Sequence, residues 1–286
     1  MARVVYVNGR YFPWGEARVH AEDRGFQFAD AVYEVCEVRS GRLVDEARHM
    51  ARLERSLEEL HMPRPMSRAA LARVLRETVR RNRVDDGLVY LQVSRGVAPR
   101  DFLFPAEGTP PTVVCLARST SRAKAAARAE RGIAVHTGPD TRWERCDIKT
   151  VMLLPASLAK EQARAAGASD AWFVDAAGYI TEGASNNVWM VDTEGRLITR
   201  PADKDILRGV TRMTLIDLLK RERIELVERP FTVAEAKRAR EVFITSATNI
   251  LTPVVSIDGA PVANGVPGSM TSRLRGLFHD VAEVAD

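Results

Sequence analysis

Residues 145–150 have the sequence Arg-Cys-Asp-Ile-Lys-Thr, and Lys149 within them is unusual for this chain. The 286 residues contain 42 lysines and arginines together, and only six of these are lysine. A primary amine forms a Schiff base with an aldehyde, whereas a guanidinium does not. A solvated lysine between two strands is the ordinary alternative, because most lysines are exposed. The other motifs of the sequence indicate whether Lys149 is a reactive lysine or a solvated surface lysine.

Composition excludes several classes of protein. The chain is 45% hydrophobic and 28% charged, as expected for a soluble globular protein with one large or two smaller domains. Its net charge of +4 does not indicate nucleic-acid binding, because the basic residues are scattered among 38 acidic ones and no nucleic-acid motif is present. Small anionic substrates suit a mildly basic protein better.

The cysteines and the hydropathy pattern predict a cytoplasmic protein. Cys36, Cys115 and Cys146 are far apart and form no CxxC motif, so we expect reduced thiols and no metal site. The N-terminal residues lack the apolar core of a signal peptide. No segment reaches the ~18 apolar residues that a membrane span needs.

The order of the predicted elements indicates an α+β fold with antiparallel or mixed sheets. Hairpins are predicted at 3–12 and 31–44, and helices at 46–60 and after Ser67. The polar, Ala/Arg-rich segment 119–131 is the candidate linker. The predicted division is therefore a domain of residues 1–118, the linker 119–131, and a domain of residues 132–286.

Glu182 lies in a run of small polar residues, Thr181-Glu182-Gly183-Ala184-Ser185-Asn186-Asn187, between two predicted strands. Small residues allow a ligand to approach the backbone closely. An acid at this position can pair with a protonated pyridine nitrogen and so help the ring to accept electrons. A turn glutamate on the surface is the alternative.

Three further places suit a phosphate group. Gly209, Val210 and Thr211 open a predicted helix, whose first amides and dipole favour an anion. Thr245–Asn249 ends a strand with hydroxyl groups, and Arg52 lies beside the apolar stripe of the 46–60 helix. Ordinary helix capping, a polar strand end and a solvated arginine are the respective alternatives.

Two segments are candidates for binding substrate. Arg95–Pro105 is a loop restrained by one glycine and two prolines, and its Arg100 can present a planar fork to a carboxylate. The segment Glu22–Val35 is rich in aromatic residues, and Tyr33 within it can direct a hydroxyl into a site. A surface connection and a buried structural tyrosine are the alternatives.

Together these features supply a lysine for an aldehyde, an acid for a ring nitrogen and donors for a phosphate, which is the inventory that pyridoxal 5'-phosphate requires. The whole chain also resembles the fold-type-IV pyridoxal-phosphate enzymes, and most closely the D-amino-acid transaminases. The motifs that carry the resemblance are EDRGFQFADAVYEV, RGVAPRDFLFP, RCDIKT, TEGASNNV, ILRGVTR and TSATNILTPV.

The resemblance implies a role for each of these positions. Lys149 corresponds to the Schiff-base lysine, which also moves the proton between substrate and cofactor, and Glu182 corresponds to the acid at the pyridine nitrogen. The other implied cofactor residues are Arg52, Leu207, Val210, Thr211, Ser246 and Ala247. The implied substrate residues are Tyr33, Arg100, Phe102 and Thr248.

The resemblance also implies an assembly and a set of substrates. We expect two α/β domains with the cofactor between them, and a homodimer in which the Arg100 loop enters the neighbouring site. The expected substrates are amino acids and 2-oxo acids, with 2-oxoglutarate or pyruvate as acceptor. We expect no nucleic-acid or membrane partner.

Two departures from the family pattern leave the substrate open. Phe102 stands where D-specific members usually have a histidine, and Ala247 stands where a hydroxyl residue is frequent. The rival interpretations are a branched-chain L-amino-acid transaminase, an R-selective amine transaminase, an aminodeoxychorismate lyase, and a basic binding protein without catalytic activity. The RGVAPR loop favours the D-amino-acid assignment over the L-specific, amine and lyase ones.

Overall fold

The computed structural model describes residues 3–285, whose backbone contains strands and helices in alternating groups. The strands are β1 Val4–Val7, β2 Arg10–Pro13, β3 Ala31–Arg39, β4 Arg42–Val44, β5 Gly87–Ser94, β6 Thr112–Ser119, β7 Ile133–Pro139, β8 Asp170–Val174, β9 Ile180–Gly183, β10 Asn187–Val191, β11 Leu197–Thr199, β12 Leu226–Glu228, β13 Glu241–Ser246, β14 Ile250–Ile257, β15 Ala260–Pro261 and β16 Val284–Ala285. The helices are α1 Arg24–Phe28, α2 Glu46–Glu59, α3 Arg68–Asn82, α4 Arg122–Arg131, α5 Leu154–Ala165, α6 Val210–Arg221, α7 Val233–Arg238 and α8 Ser269–Leu277, followed by a 3-10 turn at Phe278–Asp280.

Contacts divide the chain into two compact units. One contains the described residues up to Ser121, together with Ile148–Met152 and the C-terminal residues from Glu283. The other contains Arg122–Asp147 and Leu153–Ala282.

The first unit is built on a seven-stranded antiparallel sheet in the order β16-β4-β3-β5-β6-β1-β2. The hairpin predicted at 3–12 turns at Asn8 and Gly9, whose positive φ angles of 44° and 91° are typical of a type I′ turn. Helix α2 packs on β3, and α3 packs on β6 and β1. The predicted stripe of α2 is buried at Met50, Leu53 and Leu57.

The second unit contains a mixed sheet in the order β12-β11-β10-β13-β14-β7-β8-β9, with β15 added to β14. Three of its pairings are parallel: β11 with β12, β14 with β7, and β7 with β8. A buried apolar cluster on this sheet includes Trp172, Ile180, Ile198, Phe231 and Ile257. The α+β class with mixed and antiparallel sheets is therefore confirmed.

The predicted linker and domain boundary can be compared with these units. Residues 119–131 contain the last residue of β6 and the whole of helix α4, rather than an irregular connection. Residues 148–152 group with the first unit, whereas the sequence-based division assigns them to 132–286. The cause is backbone pairing with β3, where Val151 N donates to Ala31 O at 3.1 Å. The domain division itself stays a prediction.

None of the helices within residues 3–285 combines the length and the apolar character that crossing a bilayer requires.

A buried ionic cluster joins α2 to β3. Glu34 is 1% exposed, and Arg52 donates to its two carboxylate oxygens from Nε at 2.8 Å and from Nη2 at 2.7 Å. His49 Nδ1 lies 2.7 Å from Oε2 of the same carboxylate. Burial alone raises the pKa of Glu34, but the charge and hydrogen bonds of Arg52 outweigh it and lower that pKa to about 2.

Glu34→Gln is expected to lower the free energy of unfolding by about 3–5 kcal/mol, because it leaves the Arg52 cation buried without its counter-charge. Urea denaturation of both proteins measures this difference. Glu77→Gln is the matched control, since Glu77 also pairs with arginines, Arg80 and Arg81, but on the surface of α3. Unchanged stability of Glu34→Gln would contradict the assignment.

The acid sensitivity of the wild type should have the same origin. Because folding lowers the pKa of Glu34 from 4.5 to about 2, its contribution is complete above about pH 4.5 and is lost as the pH falls through 2. Glu34→Gln should therefore show a flatter decline of stability over this range. An identical decline in both proteins would show that Glu34 is not the titrating group.

Candidate active site

Lys149 is held beside strand β3 by its own backbone. Its carbonyl oxygen accepts from Tyr33 N at 3.0 Å, and its amide lies 3.4 Å from Ser56 Oγ. The side chain is half-buried, and its Nζ lies 4.1 Å from the centroid of the Tyr33 ring. Among residues 3–285, no carboxylate forms an ion pair with this amine. An amine without a counter-charge is available to react with an aldehyde.

Tyr33 lies directly beside this lysine, as the prediction of a substrate-binding tyrosine requires. Its ring stacks on Tyr90 with centroids 5.6 Å apart. The Tyr90 hydroxyl donates to Gln92 Oε1 at 2.6 Å, and burial together with Tyr33 raises the pKa of Tyr90 to about 12. Tyr90 therefore stays protonated near neutral pH. No sequence motif points to Tyr90. Its position next to Tyr33 follows from the β3–β5 pairing, in which Tyr90 lies opposite Val35.

Arg52 and Arg100 are placed differently from each other. The Arg52 guanidinium is buried against Glu34, so part of its donor capacity is used inside the protein. Arg100 is exposed, with its guanidinium carbon 5.3 Å from the Phe28 ring and 5.9 Å from the Phe102 ring. Within the described residues, no hydrogen bond, ion pair or ring contact joins Arg100 to Tyr33. Their shared action on a carboxylate stays a prediction.

Glu182 is a buried carboxylate of strand β9 with several hydrogen-bond donors. Arg142 Nη1 donates to its Oε1, while Asn187 Nδ2 and Leu207 N donate to Oε2 at 3.1 and 3.2 Å. Asn187 Nδ2 also reaches the carbonyl of Leu207 at 2.9 Å. The amide of Asn187 therefore ties the predicted acid to the segment that precedes helix α6.

Arg142 is the residue of this site that the sequence analysis missed. It donates to Asp140 from Nε at 3.0 Å and from Nη2 at 2.7 Å, in addition to its bond with Glu182. Burial lowers the pKa of Arg142, but its hydrogen bonds to Asp140 and the charges of Glu182 and Asp140 raise that pKa above its usual value. Arg142 therefore stays a cation. The available signal was an Asp-x-Arg pair directly after strand β7.

The start of helix α6 has the features of an anion site. Its first residues, Val210 and Thr211, are buried, and its N-cap residue, Gly209, makes no side-chain capping bond. A Cβ at Gly209 would lie 2.2 Å from Asn187 Oδ1, so a larger residue there would displace the amide that binds Glu182. The first amides of a helix without a cap favour a phosphate.

The end of strand β13 contributes a second group of hydroxyls. Ser246 Oγ lies 3.3 Å from Thr248 Oγ1 and accepts from Asn249 N at 3.3 Å. Ser246 and Ala247 are half-buried, and Thr248 is exposed. These three residues form one turn, as the contiguous motif predicts.

The donor set fits pyridoxal 5'-phosphate in its chemistry. The described residues include an amine with no acidic partner among them, a buried carboxylate, and an uncapped helix start whose second residue, Thr211, carries a hydroxyl. These groups match the aldehyde, the ring nitrogen and the phosphate of the cofactor respectively. No metal is needed by this set, and residues 3–285 contain no cluster of three or more acidic, His or Cys side chains suited to one.

Comparison with known proteins gives the family. The model for Amino-transferase class IV matches residues 31–257. D-alanine aminotransferase of Staphylococcus haemolyticus is 37% identical over 279 residues, with 98% of each chain covered. D-alanine aminotransferase of Bacillus licheniformis is 38% identical over 271 residues, covering 95% of this chain and 94% of the relative.

The solved structures agree on the fold. The branched-chain amino acid aminotransferase of Escherichia coli superimposes with a TM-score of 0.90 at 26% sequence identity, covering 98% of this chain and 95% of that one. The sequence match and the structural match both extend over nearly the whole chain. This chain therefore belongs to the class IV aminotransferases, the family of pyridoxal-phosphate-dependent enzymes that the sequence motifs predict.

Proposed function

We propose that this enzyme transfers an amino group between a D-amino acid, such as D-alanine or D-glutamate, and a 2-oxo acid, such as 2-oxoglutarate or pyruvate. Relatives named D-alanine aminotransferase at 37% and 38% identity over nearly the full length support this substrate class. The observation that carries the chemistry is Lys149, whose amine has no acidic partner among residues 3–285 and lies over the Tyr33 ring of β3.

Lys149 is the proposed catalytic residue. When bound, pyridoxal 5'-phosphate supplies an electrophilic ring that takes up the electron pair left by the substrate. With the cofactor bound, Lys149 would hold its aldehyde, and the freed side-chain amine would accept the proton from the substrate Cα. The same amine would return that proton at the C4′ atom. The second half of a ping-pong cycle runs in reverse with the 2-oxo acid.

Glu182 is the proposed partner of the ring nitrogen, which it keeps protonated. The bond from Arg142 supports this role because a neighbouring cation favours the ionised carboxylate. Asn187 and the amide of Leu207 restrict the carboxylate further. A fixed anion needs no reorganisation when charge develops on the ring.

The phosphate is assigned to the donors identified above. The amides of Val210 and Thr211, the Thr211 hydroxyl and the Ser246 hydroxyl are the proposed direct donors, and the Arg52 guanidinium is a further proposed phosphate-binding charge. Ala247 offers its backbone alone. Leu207, which is half-buried, is the proposed apolar contact of the ring.

The substrate carboxylate is assigned to Tyr33 and Arg100, and Phe102 and Thr248 are the further proposed substrate residues. Phe102 is 82% exposed. By the resemblance described above it stands where D-specific members usually have a histidine, so it would give up one polar contact with the carboxylate. An apolar ring at this position also favours apolar substrates. For this reason R-selective amine transamination remains the second candidate.

We further propose a homodimer in which Arg100 of the partner subunit completes each site. The Arg100 loop exposes several large apolar side chains, which is unusual unless a partner covers them. Their exposed fractions are 82% for Phe102, 76% for Leu103, 60% for Phe104 and 74% for the nearby Phe26. A second copy of this chain is the proposed occupant.

A cytoplasmic location is part of the same proposal. Cys36 and Cys115 are buried free thiols, and Cys146 is a third free thiol. Burial raises the pKa of Cys115 to about 12, so this thiol stays protonated and unreactive. Thiols kept in this form are typical of a reducing compartment.

Lys149→Ala should reduce turnover of D-alanine with 2-oxoglutarate by about 1,000-fold or more, because the variant loses both the covalent attachment and the proton carrier. Coupled detection of pyruvate measures the rate. Lys220→Ala is the control, since Lys220 is an exposed lysine of α6 and should leave the rate unchanged. Wild-type turnover by Lys149→Ala would refute the proposed role.

A panel of half-reactions tests the substrate class. The purified, cofactor-loaded enzyme is mixed separately with D-alanine, L-leucine and (R)-1-phenylethylamine, and the visible absorbance of the cofactor is followed. We expect rapid loss of this band with D-alanine, because the relatives and the Arg100 loop both indicate a D-carboxylate substrate. Rapid conversion by L-leucine alone would instead establish a branched-chain L-transaminase.

Leu103→Arg should weaken the dimer, because it places a charge in the apolar surface that the partner is proposed to cover. Sedimentation velocity of wild type and variant at equal concentration measures this. Val266→Arg is the matched control, since Val266 is also exposed, at 57%, but lies in the second unit outside the Arg100 loop. A wild-type monomer, or an undisturbed Leu103→Arg dimer, would contradict the proposal.

A further inference from the structure

The segment Glu22–Asp30 contains a buried charge cluster that the amino-transfer chemistry does not use. Arg24 and Arg95 are 3% and 6% exposed, and both donate from Nε to Oδ2 of Asp30, at 2.8 and 2.7 Å. Two guanidinium groups therefore share one carboxylate oxygen inside the first unit. Burying two such cations is costly unless each makes further specific contacts.

The further contacts of Arg24 lie on the Arg100 loop. Its Nη1 donates to the carbonyl of Asp101 at 2.8 Å and to that of Leu103 at 3.2 Å. These carbonyls flank Phe102 in sequence, and Asp101 directly follows Arg100. The guanidinium carbon of Arg24 also lies 4.6 Å from the Phe28 ring, against which Arg100 is placed at 5.3 Å. One buried side chain thus contacts both the loop backbone and the ring beneath Arg100.

Arg95 fixes the far end of the same loop. Its guanidinium carbon lies 3.7 Å from the centroid of the Phe104 ring. Its Nη2 donates to the carbonyl of Leu60 at 2.8 Å, and Nη1 donates to that of His61 at 3.2 Å, directly after α2. Phe104 is therefore held by a cation that is itself anchored to the unit.

Asp23 holds α1 against Ser94, the residue that directly precedes the loop. Its Oδ2 accepts from Ser94 Oγ at 2.8 Å, and its Oδ1 accepts from Gly25 N at 2.9 Å. A Cβ at Gly25 would lie 2.8 Å from the Cβ of Ser94, so glycine is needed for this approach. The backbone of Arg24 adds a bond from its N to Gly96 O at 2.9 Å.

We propose that Arg24 is a positioning residue for substrate recognition: by binding the Asp101 and Leu103 carbonyls, it presets the loop that presents Arg100 and Phe102 to the substrate carboxylate. This inference rests on the proposed function. A loop ordered before binding loses less conformational entropy when the substrate arrives, so its affinity for carboxylates is higher. The aromatic motif in Glu22–Val35 then has a function as the base of the Arg100 loop.

The test compares Arg24→Met and Arg24→Lys with the wild type as full-length, cofactor-loaded enzymes. We expect Arg24→Met to raise KM for D-alanine and for the 2-oxo acid about tenfold each, which corresponds to about 1.4 kcal/mol. The kcat and the affinity for the cofactor should stay close to wild type. Arg24→Lys keeps the positive charge, but an ammonium cannot donate to both carbonyls and to Asp30 at once. Its KM values should therefore lie between those of the wild type and of Arg24→Met.

Trypsin supplies a readout that does not depend on activity. It cleaves after arginine, so the Arg100–Asp101 bond reports whether the native loop is held in place. Arg24→Met should be cleaved there about tenfold faster than wild type. Arg81→Met is the matched control, because Arg81 also lies over an aromatic ring, Tyr11 at 4.2 Å, but outside the loop.

The outcomes separate the two proposals. Unchanged KM values and unchanged tryptic cleavage in Arg24→Met would overturn the positioning role, as would a loss confined to kcat and cofactor content. If Arg24→Met does not fold, Arg24→Lys is compared with the wild type instead. KM values of Arg24→Lys equal to those of the wild type would then reject the proposal. If the wild type does not act on D-alanine, the proposed function fails, while tryptic cleavage still tests the loop contact.

Discussion

The backbone pairing of residues 148–152 with strand β3 is the constraint on which the candidate site depends. Tyr33 N donates to Lys149 O, Val151 N donates to Ala31 O, and Val32 forms a bridge with Thr150. Because of these contacts, Lys149 belongs to the first unit and pairs with its sheet, whereas Asp147 and Leu153 belong to the second unit. Strand β3 then alternates its side chains, so that half-buried Tyr33 lies beside the lysine and buried Glu34 faces α2.

The same strand therefore combines stability with chemistry. Glu34 holds Arg52 and His49 in the buried cluster that fastens α2, which also presents Ser56 to the backbone of Lys149. The second unit has a comparable arrangement, in which Arg142 holds Asp140 and Glu182 together. In both units an arginine is buried against carboxylate oxygens: Arg52 against Glu34, and Arg142 against Asp140 and Glu182. Arg52 is also a candidate from the sequence, whereas Arg142 is not.

The sequence predicted features that depend on neighbouring residues. The hairpin at Asn8-Gly9, the Ser67 cap of α3 and the α+β class follow from local patterns, and all three are present. Helix α4 was assigned to a linker because the polarity of 119–131 was given more weight than its alanines, which favour helix. The pairing of 148–152 with β3 joins residues more than a hundred positions apart, and no local pattern contains that information.

The candidate site shows the same division. Lys149 and Glu182 were identified because their side chains have a recognisable chemistry in a recognisable motif. Arg142 and the Arg24–Asp30–Arg95 cluster were not, because a buried arginine is indistinguishable from a surface one in a chain where arginine is abundant. Asp30 and Arg95 are 65 residues apart, so only the folded chain shows that they meet.

The most direct test of the account is to locate the covalent attachment of the cofactor. Borohydride reduction of the loaded enzyme, followed by proteolysis and mass spectrometry, identifies the lysine that carries the phosphopyridoxyl group. The account predicts that this group is found on Lys149 alone. Its presence on another of the six lysines, or the absence of any modified lysine in enzyme that turns over D-alanine, would contradict it.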